Sequence, residues 1–333
     1  VRGRRIVVTG ATGFLGGRCV RALTDDYEVV AMGRNERALA RLDRGGVIAE
    51  RVELADRSAV DRLLSHAPDV IVHAAALSSP WGRREDFESA NVVATNHVLE
   101  ACRRSGSRLV HVSTPALFMN GTDRLMIDED DPLPETFVNH YAASKARAER
   151  RVRESSIPTV ILRPQAIIGA GDPSIAPRFL RIANRGVVPM IRGRDPLIDM
   201  THVQNVARAI AASCAVLLRQ DSWEGAETFN ITNDDPRPMS NLLRSFLDAW
   251  ERANGRSTIR VLELPRPLLG WVARAAEAIA GLNHREPALT RYTVELLATS
   301  RTLNIAKARR MLGYQPVHSI EDAFSEYFAA IDD

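Results

Sequence analysis

TGATGFLG, residues 9–16, follows the apolar run RRIVVT (4–9) and opens into FLGGRCVRAL (14–23), where apolar residues recur at helical spacing. The order strand, glycine turn, helix gives each glycine a task. Gly10 permits the tight turn, Gly13 lets the backbone approach a pyrophosphate, and Gly16 lets the helix lie close on the strand. The new helix turns free N–H groups and a partial positive charge toward those phosphates. A glycine triplet alone says little; between a strand and a helix it points to a dinucleotide.

Working outward, the alternation continues. Strands are predicted at 28–32, 47–53, 70–73, 109–113 and 159–162. Helices are predicted at 36–42, 58–64, 91–104 and 140–154. Several strands are unbroken apolar runs, as strands buried on both faces are. The expected fold class is α/β: a doubly wound parallel sheet of Rossmann type, with a smaller C-terminal α/β substrate lobe. The expected division is a nucleotide-binding domain at 1–165 and a substrate lobe at 166–333, some of whose chain returns to the first domain. Past Pro164, glycine and proline interrupt the pattern, and helices are expected at 176–184, 203–218, 240–253, 288–297 and 319–330. In PLLGWVARAAEAIAGL (267–282), Leu268, Val272, Ala275, Ala276 and Ile279 share one helical face. That face reads either as a helix packing on the second lobe or as a lid touching lipid or a long-chain substrate.

Composition narrows the function classes. The 333 residues carry a net charge of +3, spread along the chain without basic blocks, so nucleic-acid binding is not expected. Cys19, Cys102 and Cys214 are far apart and form no metal-ligand spacing, which suggests free thiols in a reducing compartment and no metal. No apolar run is long enough to span a membrane, no signal peptide is evident, and a cytoplasmic location is expected.

Of the 44 basic residues only Lys145 and Lys307 are lysine. HYAASKARAER (140–150) sets Lys145 four residues after Tyr141, on the same helical face. A phenol titrates near pH 10. A neighbouring ammonium would lower that value toward neutrality and make the phenol a usable proton relay. Lysine is also more compact than arginine, and its three donors suit ribose hydroxyls.

These motifs resemble the short-chain dehydrogenase/reductase superfamily. The TGxxGFLG form is similar to its extended branch, which carries a substrate lobe after the nucleotide-binding half. The resemblance implies a Thr114/Tyr141/Lys145 catalytic set, with Ser113 beside it at the end of the fifth strand. It implies a cofactor held by Gly10, Thr12, Gly13, Phe14, Leu15 and Gly16, by Ala74, Ala75 and Ala76 of HAAALS (73–78), and by Asn91 at the start of the following helix. Tyr141, Lys145, Pro164 and Ile167 complete that set on the nicotinamide side. VELAD (52–56) stands where the superfamily has an Asp-Leu pair on adenine, so Glu53 and Leu54 take that place and Asp56 reads as the next helix's N-cap. The second strand ends Met32-Gly33-Arg34-Asn35, with no carboxylate for ribose hydroxyls. Arg34 fits a 2′-phosphate, which favours NADP(H), with NAD(H) as the alternative.

DMTHVQNVARAI (199–210) and AKARRMLGYQP (306–316) resemble the 3β-hydroxysteroid dehydrogenase-like group, which includes 2-alkyl-3-oxoalkanoate reductases. The implied reaction is hydride transfer to or from a hydrophobic β-keto or β-hydroxy substrate. Substrate contacts are expected at Ser79, Pro80, Trp81, Met119, Gln165, Met190, Leu197 and Ile198. The competing readings are a nucleotide-sugar epimerase or dehydratase retaining NAD, with Arg178, Arg192 and Arg301 on its diphosphate, and a non-catalytic cofactor-sensing regulator. A homodimer is expected.

Overall fold

The computed structural model describes residues 3–42, 46–255, 260–283, 287 and 289–331. The first half alternates as the sequence predicts: β1 (Arg5–Thr9), α1 (Phe14–Leu23), β2 (Glu28–Gly33), α2 (Glu36–Leu42), β3 (Ile48–Arg51), α3 (Ala59–Ser65) and β4 (Val70–His73). A continuous helical stretch comes next: α4 (Arg84–Phe87), a π-helical turn (Glu88–Val93) and α5 (Ala94–Ser105). The first half closes with β5 (Arg108–Val112), β6 (Arg124–Ile127), α6 (His140–Arg153) and β7 (Thr159–Pro164).

The second half is built from shorter pieces: β8 (Ile167–Ile168), α7 (Ala176–Arg185), β9 (Val187–Ile191), β10 (Leu197–Ile198), β11 (Thr201–His202) and α8 (Val203–Arg219). It continues with β12 (Ala226–Ile231), β13 (Arg237–Pro238), α9 (Met239–Asn254), β14 (Arg260–Leu264) and α10 (Arg266–Asn283). It ends with α11 (Arg291–Ala298), β15 (Arg301–Leu303), α12 (Ala306–Leu312) and α13 (Ile320–Ala329).

Seven strands form one sheet in the order β12-β7-β5-β4-β1-β2-β3, every pair parallel. The order reverses between β1 and β4. Loops leaving neighbouring strands there turn to opposite faces, so a crevice opens at their carboxyl ends. Both faces of the sheet are covered, one by α1 and α8 and the other by α3 and α5. That explains strands such as Ile6–Val8 and Val70–Val72 with no polar alternation.

The second half is not a separate body. Helix α8 and strand β12 return to the large sheet, and α8 packs against α1. In exchange β6 leaves the first half to join a small sheet in the order β13-β10-β15-β6.

Several boundaries differ from the sequence reading. The helix expected at 91–104 begins at Arg84, so Asn91 lies inside its π-helical turn. Helix α3 starts at Ala59, and no side chain caps it. Asp56 instead accepts the Ala59 N–H through its backbone carbonyl in the preceding turn, at 3.0 Å. The helix expected at 288–297 is Arg291–Ala298, because Thr290 caps it by accepting the Thr293 N–H; residue 288 lies outside the described residues. Helix α10 docks through Leu269 and Ala273 onto Ile191, Val294 and Ala298. Leu268, Trp271, Val272 and Ile279 face outward, the reverse of the face expected to pack. The reason is size: small residues allow a close helix–helix approach that Trp271 would block. Among the described residues no helix is long and apolar enough to cross a membrane.

The glycine turn sits at the strand-order reversal. Gly10 has φ +70°, and a Cβ there would meet the Ala75 backbone at 2.7 Å. A Cβ on Gly16 would lie 2.1 Å from the Gly10 carbonyl oxygen, whereas one on Gly17 would meet its nearest neighbour at 3.4 Å. Gly16→Ala is therefore expected to push α1 off the turn. The strain should cost about 1–3 kcal/mol of stability and weaken NAD(P)H binding about tenfold or more, measured by fluorescence titration. Gly17→Ala should behave like the parent.

Candidate active site

A cleft of about 400 Å³ opens at the carboxyl ends of β1, β4 and β5. Its floor is the glycine turn (Gly10, Gly13, Phe14, Leu15, Gly16) together with Ala74 and Ala76. No acidic residue occupies the first turn of α1 and no side chain caps it, so its N–H groups stay available to an anion. The cradle fits the pyrophosphate of a dinucleotide, and a Cβ at Gly10 or Gly16 would strike the Ala75 or Gly10 backbone that shapes it.

Over this floor α6 brings Tyr141 and Lys145, and the end of β5 brings Ser113 and Thr114. Asn139 caps α6 by accepting the Ala142 N–H at 2.9 Å, which fixes where Tyr141 enters. The two hydroxyls at the strand end divide their work. Ser113 donates to Glu149 Oε2 at 2.6 Å, one helical turn beyond Lys145 on α6. Thr114 Oγ1 accepts the Ala116 N–H at 3.2 Å, and Thr114 stands beside the Tyr141 phenol in the cleft.

The electrostatics depart from the sequence reading. Burial pushes the Tyr141 phenol well up from its ordinary value, and the neighbouring Thr114 hydroxyl only partly opposes this. Lys145 does not bring it down. The Lys145 Nζ donates to the Val112 carbonyl at 2.6 Å, and its burial draws its own pKa down to about 8. The phenol therefore holds its proton at neutral pH and the lysine sits close to its titration range. The second lysine does unrelated work, pairing with Glu227 at 2.7 Å.

Glu149 lies one helical turn beyond Lys145 and is buried. Arg163, also buried, reaches it with Nε at 3.1 Å and Nη2 at 2.5 Å. Burial alone would raise the Glu149 carboxyl; the hydrogen bonds and charge of Arg163, with Ser113, hold it below the usual range. Its charge in turn raises the Lys145 ammonium. Under the sheet, His73 and His111 pair across β4 and β5 with ring centroids 5.4 Å apart. Burial, and then the charge of Lys145, pushes His73 down to about 3, so that ring is neutral.

The remaining expected cofactor residues take several positions. Pro164 and Ile167 line the cleft. Asn91 supports it from behind: its side chain accepts the Leu77 N–H at 2.7 Å and donates to the Leu77 carbonyl and to Ser144 Oγ. The loop after β4 is thereby pinned. Ala75 packs against Gly10, and the Thr12 side chain lies where a side chain at Gly33 would have to stand. Arg34 and Glu53 are exposed at the ends of β2 and β3 and face each other at 3.5 Å. Asn35 Oδ1 accepts the Ala38 N–H, and Leu54 belongs to the core.

Of the expected substrate contacts, Ser79, Pro80 and Gln165 line the cleft. Ile198 lines an adjoining cavity. Met119 is buried against Tyr141, Tyr292 and Leu296 of the cleft wall, and Met190 in the cluster that holds Ala166 and Ile175; neither reaches the cleft surface. Trp81 lies in the loop before α4 and Leu197 in β10, and neither lines the cleft. The sequence reading missed Tyr292 and Leu296, which α11 lowers onto the cleft, and Ile175. No motif marks them; they arrive by tertiary packing.

Among the described residues, one group with metal-ligand chemistry, His202, His318 and Glu326, lies outside the cleft lining. His202 Nδ1 accepts the Gln204 N–H, so a neutral ring carries its proton on Nε2, facing Glu326 at 3.4 Å.

Comparison with known proteins gives the same picture. The model of the NAD dependent epimerase/dehydratase family matches residues 6–232. A 2-alkyl-3-oxoalkanoate reductase of Stenotrophomonas maltophilia is 33% identical over 326 residues, 96% of each chain. The decarboxylating sterol-4-alpha-carboxylate 3-dehydrogenase of Schizosaccharomyces pombe is 29% identical over 337 residues, 98% of this chain and 97% of that one. Among solved structures, a UDP-glucose-4-epimerase from Stenotrophomonas maltophila with bound NAD superposes with a TM-score of 0.76. It covers 98% of this chain and 97% of that one at 19% identity, a likeness of fold.

Proposed function

The chain belongs to the NAD dependent epimerase/dehydratase family, and from that premise and the geometry of its cleft we propose an NADP(H)-dependent reductase of hydrophobic β-keto substrates, or the corresponding β-hydroxy dehydrogenase. That it is an NAD(P)-dependent oxidoreductase of the extended short-chain type follows from the family and the relatives. The finer reading rests on one observation above others: a half-buried phenol that keeps its proton, set beside Thr114 in a cleft that ends in apolar walls.

The glycine turn and the N-terminus of α1 would hold the pyrophosphate, with Lys145, Pro164 and Ile167 around the nicotinamide half. The bound cofactor supplies or accepts the hydride. This chain's residues do the rest. Thr114 and Tyr141 hydrogen-bond the substrate oxygen and polarise its carbonyl, Tyr141 gives that oxygen its proton, and Lys145 holds a positive charge beside them. A phenol that keeps its proton at neutral pH is in the form reduction needs, since it must give that proton to the substrate oxygen. Gly33 offers no carboxylate to ribose hydroxyls, and Arg34 offers a guanidinium to a 2′-phosphate, in competition with Glu53. A cytoplasmic homodimer belongs to the same reading.

The test is a panel of 2-alkyl-3-oxo acids, 3β-hydroxysteroids and UDP-sugars with NADPH and with NADH, followed by the absorbance of the reduced nicotinamide and by product analysis. Turnover is expected with the alkyl oxo acids and NADPH. Arg34→Ala should cut the preference for NADPH roughly 10–100-fold, the range for a lost charge-assisted phosphate contact. Stoichiometric NAD retained through purification, together with an epimerised UDP-sugar, would replace this reading with the epimerase one.

A further inference from the structure

Beyond Tyr141 the cleft adjoins a second cavity of about 230 Å³, set among α7, β10, α9 and α11. Ala166, Ile175, Arg178 and Leu296 line both spaces. The inner walls are apolar, formed by Phe179, Ile198, Met200, Met239, Leu242 and Leu297. The hydroxyls of Thr290 and Thr293, which also line it, lie 2.9 Å apart and satisfy each other. At the same end of the cleft, β15 presents Arg301, in register with Ile198 on one side and Arg124 on the other. The Arg301 side chain is 4% exposed, its Nε has no hydrogen-bond partner, and among the described residues it enters no ion pair. Glu295, whose charge acts on it through space, makes no ion pair with it and accepts the Gly121 N–H through Oε1 at 2.8 Å. Tyr292 feels the charges of both Arg301 and Arg178, which places the three together.

A buried guanidinium without a carboxylate is costly unless a ligand supplies one. Its planar fork matches a carboxylate, and an adjoining apolar cavity favours a hydrocarbon occupant. We propose that Arg301 receives the acid group of the substrate and that the adjoining cavity takes its hydrocarbon chain, so that the substrate is a long-chain β-hydroxy or β-keto acid. This rests on the oxidoreductase reading above and adds to it the group that Arg301 selects. Burial also makes the guanidinium somewhat easier to deprotonate, consistent with a charge awaiting its partner.

The experiment compares 3-hydroxydodecanoate with its methyl ester as substrates for oxidation, in the parent, Arg301→Met and Arg301→Lys. Losing the charged contact should lower the acid-to-ester ratio of kcat/KM roughly 10–100-fold in Arg301→Met, and Arg301→Lys should restore part of it. Ile198→Trp, which fills the cavity, should collapse the preference for 3-hydroxydodecanoate over 3-hydroxybutanoate. Calorimetric binding of dodecanoate and of 1-dodecanol tests the same subsite without any turnover. The parent should prefer dodecanoate and Arg301→Met should not, a result that stands even where the oxidoreductase reading fails. An acid-to-ester ratio unmoved by Arg301→Met, or an Arg301→Met variant that loses UDP-glucose binding while dodecanoate binds as before, overturns the proposal.

Discussion

Tyr141→Phe lowers kcat for ketone reduction roughly 10²–10⁴-fold, the span of a general acid, while NAD(P)H binds with nearly unchanged affinity. The variant keeps the ring, and with it the packing of Tyr141 near Phe87, at 6.4 Å between centroids. What disappears is the hydroxyl that stands beside Thr114 in the cleft. Stopped-flow single turnovers separate the loss from product release, and a fluorescence titration reads the cofactor. A variant as fast as the parent would remove the phenol from the chemistry and revive the cofactor-sensing reading. The pH profile gives a second view. Burial draws Lys145 from 10.5 to about 8, so its positive charge beside the reacting oxygen is lost as pH rises through about 8. For reduction, kcat/KM should fall on that limb, and Lys145→Met should lack it. Stability runs the other way. The unfolded chain keeps the lysine proton up to 10.5 while the folded chain releases it from about 8, so stability rises with pH across that window.

How far the sequence reaches depends on whether the signal is local. The glycine turn and the Tyr141/Lys145 spacing lie on single elements, and the buried parallel strands are unbroken apolar runs, so all three were legible. The second-half strands that meet the cleft are two or three residues long, as in Ile167–Ile168 and Arg301–Leu303. Two residues carry no periodicity. Arg301 and Tyr292 gain their positions from the docking of β15 and α11, which nothing local specifies. For Lys145, helical spacing puts its charge on the face of the phenol, but only the folded chain shows the Val112 carbonyl that takes the ammonium. For α10 the sequence left packing and a lid open, and the folded chain leaves Leu268, Val272 and Ile279 exposed while Leu269 and Ala273 make the contact.

Glu149→Leu is expected to cost about 3–5 kcal/mol of folding stability, the usual result of leaving one partner of a buried ion pair uncompensated. Arg163 is 2% exposed, and its other hydrogen bond, from Nη1 to the Glu129 carbonyl at 2.9 Å, carries no opposing charge. The Ser113 hydroxyl would lose its acceptor as well. Urea unfolding measures the loss through the midpoint at constant slope. The paired variant Glu149→Leu/Arg163→Met should recover most of it, because two apolar side chains of similar volume need no desolvated charges. If Glu149→Leu alone were as stable as the parent, the buried pair would not be holding α6 to β7. The acid side gives the sign independently. The Glu149 carboxyl is held below its unfolded value, so its stabilisation is full above the unfolded carboxylate range and is lost as pH falls through the folded value. The paired variant should lose that part of its acid sensitivity. Because the same carboxylate raises Lys145, either variant should also move the alkaline limb of reduction to lower pH. A structural pair buried behind the cleft thus sets the working pH of the lysine inside it, and Glu149 acts on the chemistry as a positioning residue.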